Sequence, residues 1–232
     1  MKILGLTFAI LSAAALHMKG EHYTSSDAAD AAERLTGRRS HMGDEIRQLS
    51  GATLKGRAIT LRIVRDDAAS SAAEGLKVIA LMESAPAESV IVATVVGDDK
   101  AFAVFGATFA ALSKSRQLGG FVIDGAMRGL AEFRTLGVPM FARGTVAGSA
   151  GGHFRLEAAN VPITCGGVDV SPGDYVIGDA DGIAVVPSDR HAEMLAKAAE
   201  LRDEKNALLP LIARYRSYTR AVEVHKSQRK RP

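Results

Sequence analysis

The chain has 232 residues, 47% of them hydrophobic, and its 29 Lys and Arg against 26 Asp and Glu leave a formal net charge of +3. That length and apolar content fit one domain with a filled core and a tail. The single cysteine, Cys165, excludes an intramolecular disulfide and any cysteine-rich metal site.

Met1 to Leu16 begins with one lysine and continues as an uncharged apolar run ending in small residues. Two readings stand. Met1–Ala15 has the pattern of a secretory signal peptide and is too short for a stable membrane span. Ile3, Leu6, Ile10, Ala13 and Ala14 are also helix-spaced, so the same run reads as a retained N-terminal helix of a cytoplasmic protein. The thin positive region favours the second reading. Thr24, Ser25, Ser26 and Asp27 then supply cap residues for a helix over Ala28–Leu35, which Thr36-Gly37 ends. Gly37 to Leu49 is polar and reads as a loop. Ala52 to Val64, with Ile59, Leu61 and Ile63 alternating, reads as a strand, and Asp66 to Met82 as a helix. Ser89 to Val96 is β-branched and bounded by Pro86 and Gly97, as a buried strand would be.

Gly97-Asp98-Asp99-Lys100 reads as a solvated turn with a helix cap, or as a carboxylate pair at a strand end. Ala101 to Ser115 reads as the next helix, with Gly106 inside it or in a loop that breaks it. Gly119-Gly120 stops that helix. Phe121-Val122-Ile123 is a short buried strand, and Asp124-Gly125 a turn at its end. Ala126 to Leu136 is helix-like, stopped by Gly137 and Pro139. Arg128 therefore falls at a helix start just past a strand end, where ligands collect in open α/β sheets and free amides favour anions. Its planar fork suits a carboxylate, although it also suits an ion pair with Glu132.

Thr145 to His153 is Gly-rich and reads as a mobile loop or lid; it lacks the ending of a phosphate loop. His153 is either an exposed side chain or a general base. Val161 to Pro187 reads as short strands parted by Gly166-Gly167, Pro172-Gly173-Asp174 and Asp179-Ala180-Asp181-Gly182, with Cys165 as a buried apolar residue. Ser188 opens a helix to about Leu209. From Arg214 the chain is basic and lacks aromatics in a stacking pattern, which reads as an unstructured tail rather than a nucleic-acid site. Strands separated by glycine turns and interleaved with helices indicate an α/β fold.

Five stretches together carry a more specific signal: SSDAADAAERL (Ser25–Leu35), LKGRAITLR (Leu54–Arg62), GGFVIDGAMRG (Gly119–Gly129), LGVPMFARG (Leu136–Gly144) and NVPITCGGVDVSPGDYVIGDADGIAVVP (Asn160–Pro187). In order and spacing they resemble the RraA-like family, over roughly residues 25 to 210. That family includes 4-hydroxy-4-methyl-2-oxoglutarate/4-carboxy-4-hydroxy-2-oxoadipate aldolases, oxaloacetate decarboxylases and the regulator of ribonuclease activity A. The resemblance implies a β/β/α swivelling-type domain over residues 24–210, between an N-terminal segment 1–23 and a basic tail 211–232. It implies homotrimers or homohexamers with sites between subunits, to which Glu200 or Glu204 contributes in trans.

The resemblance also implies chemistry. Arg128 would hold the carboxylate of a small 2-oxo acid, and Gly106, Ala107, Thr108 and Phe109 would offer backbone N–H groups to a developing enolate. The family's divalent metal, Mg²⁺ or Mn²⁺, is held with the help of an Asp directly after the Arg, and a second acid stands upstream with twenty residues between it and the Arg. Here Gly129 follows Arg128 and Ala107 stands at the upstream position, so both carboxylates are missing, and Asp124, Glu132 or water is left to substitute. The expected function is a carbon–carbon lyase with a degenerate metal site, releasing pyruvate by retro-aldol cleavage or decarboxylation. The alternative is a non-catalytic oligomeric protein that binds or regulates. A basic chain does not suit a regulator that binds basic protein segments, and the sequence has no nucleotide loop for a methyltransferase.

Overall fold

A computed structural model describes residues 23–69, 71–97 and 101–229. Three expectations fall outside the described residues: the N-terminal apolar run, the Asp98-Asp99 pair, and the last basic residues, Lys230 and Arg231.

The described chain folds as mixed α/β. Helix α1 (Ser25–Thr36) leads into β1 (Arg47–Ser50), the long β2 (Leu54–Arg65), α2 (Ser71–Ser84) and β3 (Val90–Val96). Then come β4 (Ala103–Phe105), α3 (Ala107–Ser115), β5 (Gly120–Met127), α4 (Leu130–Leu136) and β6 (Met140–Thr145). After these follow β7 (Phe154–Ala159), β8 (Ile163–Cys165), β9 (Val168–Val170), β10 (Tyr175–Asp179), β11 (Gly182–Val186), α5 (His191–Tyr215) and α6 (Tyr218–Arg229). One sheet runs β1-β6-β5-β3-β2-β10-β11, with β4 beside β5 and β7 beside β2, and curls into a nearly closed barrel. The β2-β3-β5-β6 centre is parallel, while β1, β7, β10 and β11 are antiparallel additions.

The central strands are buried on both faces, and their side chains alternate between two cores. Ile91, Ala93, Phe121 and Ile123 enter one core with α2, α3 and α4. Val90, Val92 and Val122 enter the other, against the β8–β9 hairpin and Met42 and Ile46. A third cluster seats α1 and α5 on β10 and β11 through Ala28, Ala31, Ile177, Met194 and Ala198. Helix α1 starts at Ser25, three residues before the expected Ala28, because Thr24 caps it and forms a reciprocal capping box with Asp27.

Several boundaries differ from expectation, each for a physical reason. The polar loop after Gly37 contains β1, because backbone pairing with β6 recruits Arg47 to Ser50 despite their polarity. The expected helix from Ala101 is split: Ala103–Phe105 pairs with β5, and the helix begins only after extended Gly106. Asp124-Gly125 is no turn. Its carboxylate accepts the Gly166 N–H at 2.8 Å and pairs with Arg143, so the strand continues to Met127 beside β6, and the helix starts at Leu130. At the C-terminal end, α5 passes through Pro210 to Tyr215, and the basic stretch after it is helix α6, whose Ala221 is fully buried.

Candidate active site

Arg128 stands between β5 and α4, and its own N–H donates to Phe105 O at 2.9 Å. That bond places β4, and therefore the start of α3, beside it. A Cβ built on Gly106 would lie 3.3 Å from Arg128 Cγ and 3.5 Å from Nε, so the missing side chain lets the Arg128 stem lie across the helix start. The first bonds of α3 run from the Phe109 and Ala110 N–H groups to Gly106 O, at 3.0 and 3.3 Å. The amides of Ala107 and Thr108 precede them in the first turn, and among the described residues neither donates to a backbone carbonyl. A guanidinium and helix-start amides thus share one spot, an arrangement whose chemistry suits a carboxylate or an oxyanion. The Arg128 side chain is exposed, and its Nη1 donates to Ala147 O at 3.4 Å in the Gly-rich loop.

These groups line a cleft of about 510 Å³. Its walls are apolar on one side, with Ile63, Val78, Phe105, Phe109 and Phe154, and the loop residues Ser149 to Gly151 close another side. Gly106, Ala107, Thr108, Phe109, Arg128 and Gly129 all lie on it. Ala103 N–H donates to Gly148 O at 2.8 Å, and Ala150 N–H donates to Ala103 O at 3.0 Å, so the loop is stitched to β4. His153 sits at the loop's foot, stacked on Phe102 with ring centroids 3.8 Å apart, and its Nδ1 is 3.0 Å from Asp67 Oδ1. The His153 hydrogen bond, followed by that of Arg65, holds the Asp67 carboxyl below its usual range. This anchors the loop; His153 itself does not line the cleft.

The positions of the two missing acids are neighbours. Gly129 has φ +70°, and a Cβ there would stand 2.8 Å from Ala107 N and 3.3 Å from Ala107 Cβ. A hard cation such as Mg²⁺ or Mn²⁺ takes oxygen ligands, usually including carboxylates. Neither Gly129 nor Ala107 has one to offer. Asp124 is committed to Arg143 and the Gly166 amide and does not line the cleft. Among the described residues, no group of three or more His, Cys, Asp or Glu side chains is placed to hold a metal ion. The donor set around Arg128 does not fit the family's metal.

Two charged residues on the cleft escape a reading of the sequence. Glu74, from α2, has its Oε1 2.6 Å from Lys77 Nζ, and its Oε2 accepts the Leu156 N–H at 2.8 Å. The Lys77 hydrogen bond, with the Leu156 amide and nearby Arg155, holds its carboxyl below the usual range. Arg155, from β7, is balanced by Asp66 at 3.2 Å and Glu157 at 3.6 Å. Nothing local in the sequence marks Glu74 or reports that β7 folds onto β2. Cys165 is buried against Ala93 O, and burial pushes its thiol well above the ordinary value, so it is inert packing. Glu200 and Glu204 lie on α5 along a separate, larger groove with Tyr175 and His191.

A family model described as RraA-like, Aldolase/RraA, matches residues 25–185. A Halalkalibacterium halodurans protein with the name "Putative 4-hydroxy-4-methyl-2-oxoglutarate aldolase" is 36% identical over 134 residues, 58% of this chain and 63% of that one. An uncharacterized Methanocaldococcus jannaschii protein is 33% identical over 53% of this chain and 60% of its own length. The matches thus span less than two thirds of either relative. The crystal structure of an uncharacterized Pseudomonas syringae pv. tomato protein superposes with a TM-score of 0.76 at 23% identity, covering 89% of this chain and 96% of that one. Streptomyces coelicolor RraAS2, described as an unusual member of the RNase ES inhibitor RraA protein family, gives 0.70 at 25% identity, covering 82% and 93%.

Proposed function

The chain belongs to the RraA-like family, and from that premise we propose that it is a carbon–carbon lyase acting on a small 2-oxo acid. The observation that carries this reading is the conjunction of Arg128 with the helix-start amides of Ala107 and Thr108 on one cleft. The carboxylate of the substrate docks on the Arg128 fork. The keto oxygen lies toward the start of α3, where the amides stabilise the negative charge that grows as the bond to C4 breaks. The apolar wall and the Gly-rich loop exclude water from the enolate. This electrostatic sink serves both retro-aldol cleavage and decarboxylation, and pyruvate is a product of each. The assembly is a homotrimer or homohexamer, as the family resemblance implies.

A second reading has its own support: Gly129 and Ala107 remove both carboxylates from the cleft, as expected of an oligomer that binds a small acid without turning it over. Pyruvate release from 4-hydroxy-4-methyl-2-oxoglutarate and from oxaloacetate separates the two, run with Mg²⁺ or Mn²⁺ and again with chelator. The lyase reading predicts release that Arg128→Ala abolishes. No release above buffer from either substrate by the folded oligomer overturns it and leaves the binding role.

A further inference from the structure

We propose that Glu74 is the catalytic base of this cleft, the proton acceptor that replaces the acids absent at Ala107 and Gly129; this rests on the lyase reading above. Three observations carry it. Among the described residues, Glu74 is the carboxylate that lines the cleft, and neither Asp124 nor Asp67 lies on it. Its side chain is 17% exposed, so it is sheltered yet reachable. Its two oxygens are each fixed by one donor, Lys77 Nζ on Oε1 and the Leu156 amide on Oε2. A carboxylate has about four acceptor sites, so about two remain for a ligand. These donors hold the group in one orientation.

The step balances with no further reactant. In a 4-hydroxy-2-oxo acid bound through Arg128, the Glu74 carboxylate takes the proton of the C4 hydroxyl. The O–H electron pair forms the C4 carbonyl, the C3–C4 bond breaks, and its pair becomes the C2–C3 double bond as the C2 oxygen takes the negative charge. The amides of Ala107 and Thr108 and the Arg128 guanidinium hold that oxyanion. The carbonyl product departs, and protonated Glu74 returns its proton to C3, giving pyruvate and the original carboxylate. Decarboxylation needs no base at C4, so a base at this place marks the site for retro-aldol chemistry.

Enolisation can be read without knowing the full substrate. Glu74 should also take a proton from C3 of bound pyruvate, so the protein should exchange the pyruvate methyl protons for deuterium in D₂O, followed by NMR. Glu74→Gln keeps an oxygen for the Leu156 amide and is expected to lower the exchange rate about 10²–10⁴-fold. Oxalate, an enolate mimic, should bind it as it binds the parent. Glu74→Asp should recover part of the rate, which a merely structural role would not produce. Exchange retained within twofold in Glu74→Gln, with oxalate still bound, overturns Glu74 and leaves the 2-oxo acid site standing. Neither exchange nor oxalate binding by the parent protein overturns both.

Discussion

Gly129 shows why the family's metal chemistry does not transfer to this cleft by a single substitution. Its φ of +70° is a left-handed conformation, and a Cβ would press on the Ala107 amide at 2.8 Å. Left-handed backbone costs other residues about 1–2 kcal/mol. Gly129→Asp is therefore expected to lower unfolding free energy by about 1–2 kcal/mol or more in urea titration, without gaining Mg²⁺ affinity by calorimetry. Unchanged stability with new metal binding would contradict this. Arg128 makes the complementary case. Lysine keeps the charge but not the planar fork, so Arg128→Lys should weaken oxalate binding about tenfold, or about 1.4 kcal/mol. The place of Arg128 past a strand end and beside Gly106 was legible in the sequence, because a strand, a glycine frame and a helix surround it. Glu74 was not, since an Asp or Glu three residues from a Lys is the ordinary pattern of a solvated helix face.

Among the elements, the join between α1 and α5 carries the clearest electrostatic signature. Asp27 is fully buried and meets Arg202 at 2.5 Å and Lys205 at 2.8 Å, while also capping α1 through Thr24. Burial by itself raises its carboxyl; the Lys205 hydrogen bond and the Thr24 contacts outweigh this and leave it below the ordinary value. A lowered folded value means the contribution is complete above the unfolded pKa, near 4, and drains away as pH falls through the folded one. Asp27→Asn should cost about 2–3 kcal/mol at pH 7, because Arg202 and Lys205 are part-exposed and regain water. The difference between variant and parent melts should shrink below about pH 4; a constant difference would contradict the linkage. The strands and helices with strong periodicity were readable from sequence, as Val90–Val96 and Ser25–Thr36 show. The elements that depend on distant partners were not. Asp124-Gly125 has turn chemistry and becomes strand only because Gly166 and Arg143, far along the chain, satisfy its carboxylate. Polar Arg47–Ser50 becomes strand only beside β6.

At the scale of the whole molecule, the C-terminal basic stretch is structural. Helix α6 folds back on α5 through buried Ala221, with Arg229 3.8 Å from Glu204. Composition reads such a stretch as a solvated tail because one buried alanine and a helical turn leave little trace among so many charges. Ala221→Asp should undock α6 and raise its protease sensitivity, read by the time course of cleavage after Arg220; unchanged protection would contradict the packing. Among the described residues, no helix is long and apolar enough to cross a membrane. The proposed assembly predicts three or six chains per particle by light scattering, and a monomer would contradict it. The account turns most on where a small acid binds, so the most direct measurement is a crystal structure with oxalate. One oxalate carboxylate on the Arg128 guanidinium, with an oxygen within hydrogen-bond reach of the Ala107 or Thr108 amide, is the predicted result. Oxalate in the groove beside Tyr175 and His191, with the Arg128 cleft empty, would contradict it.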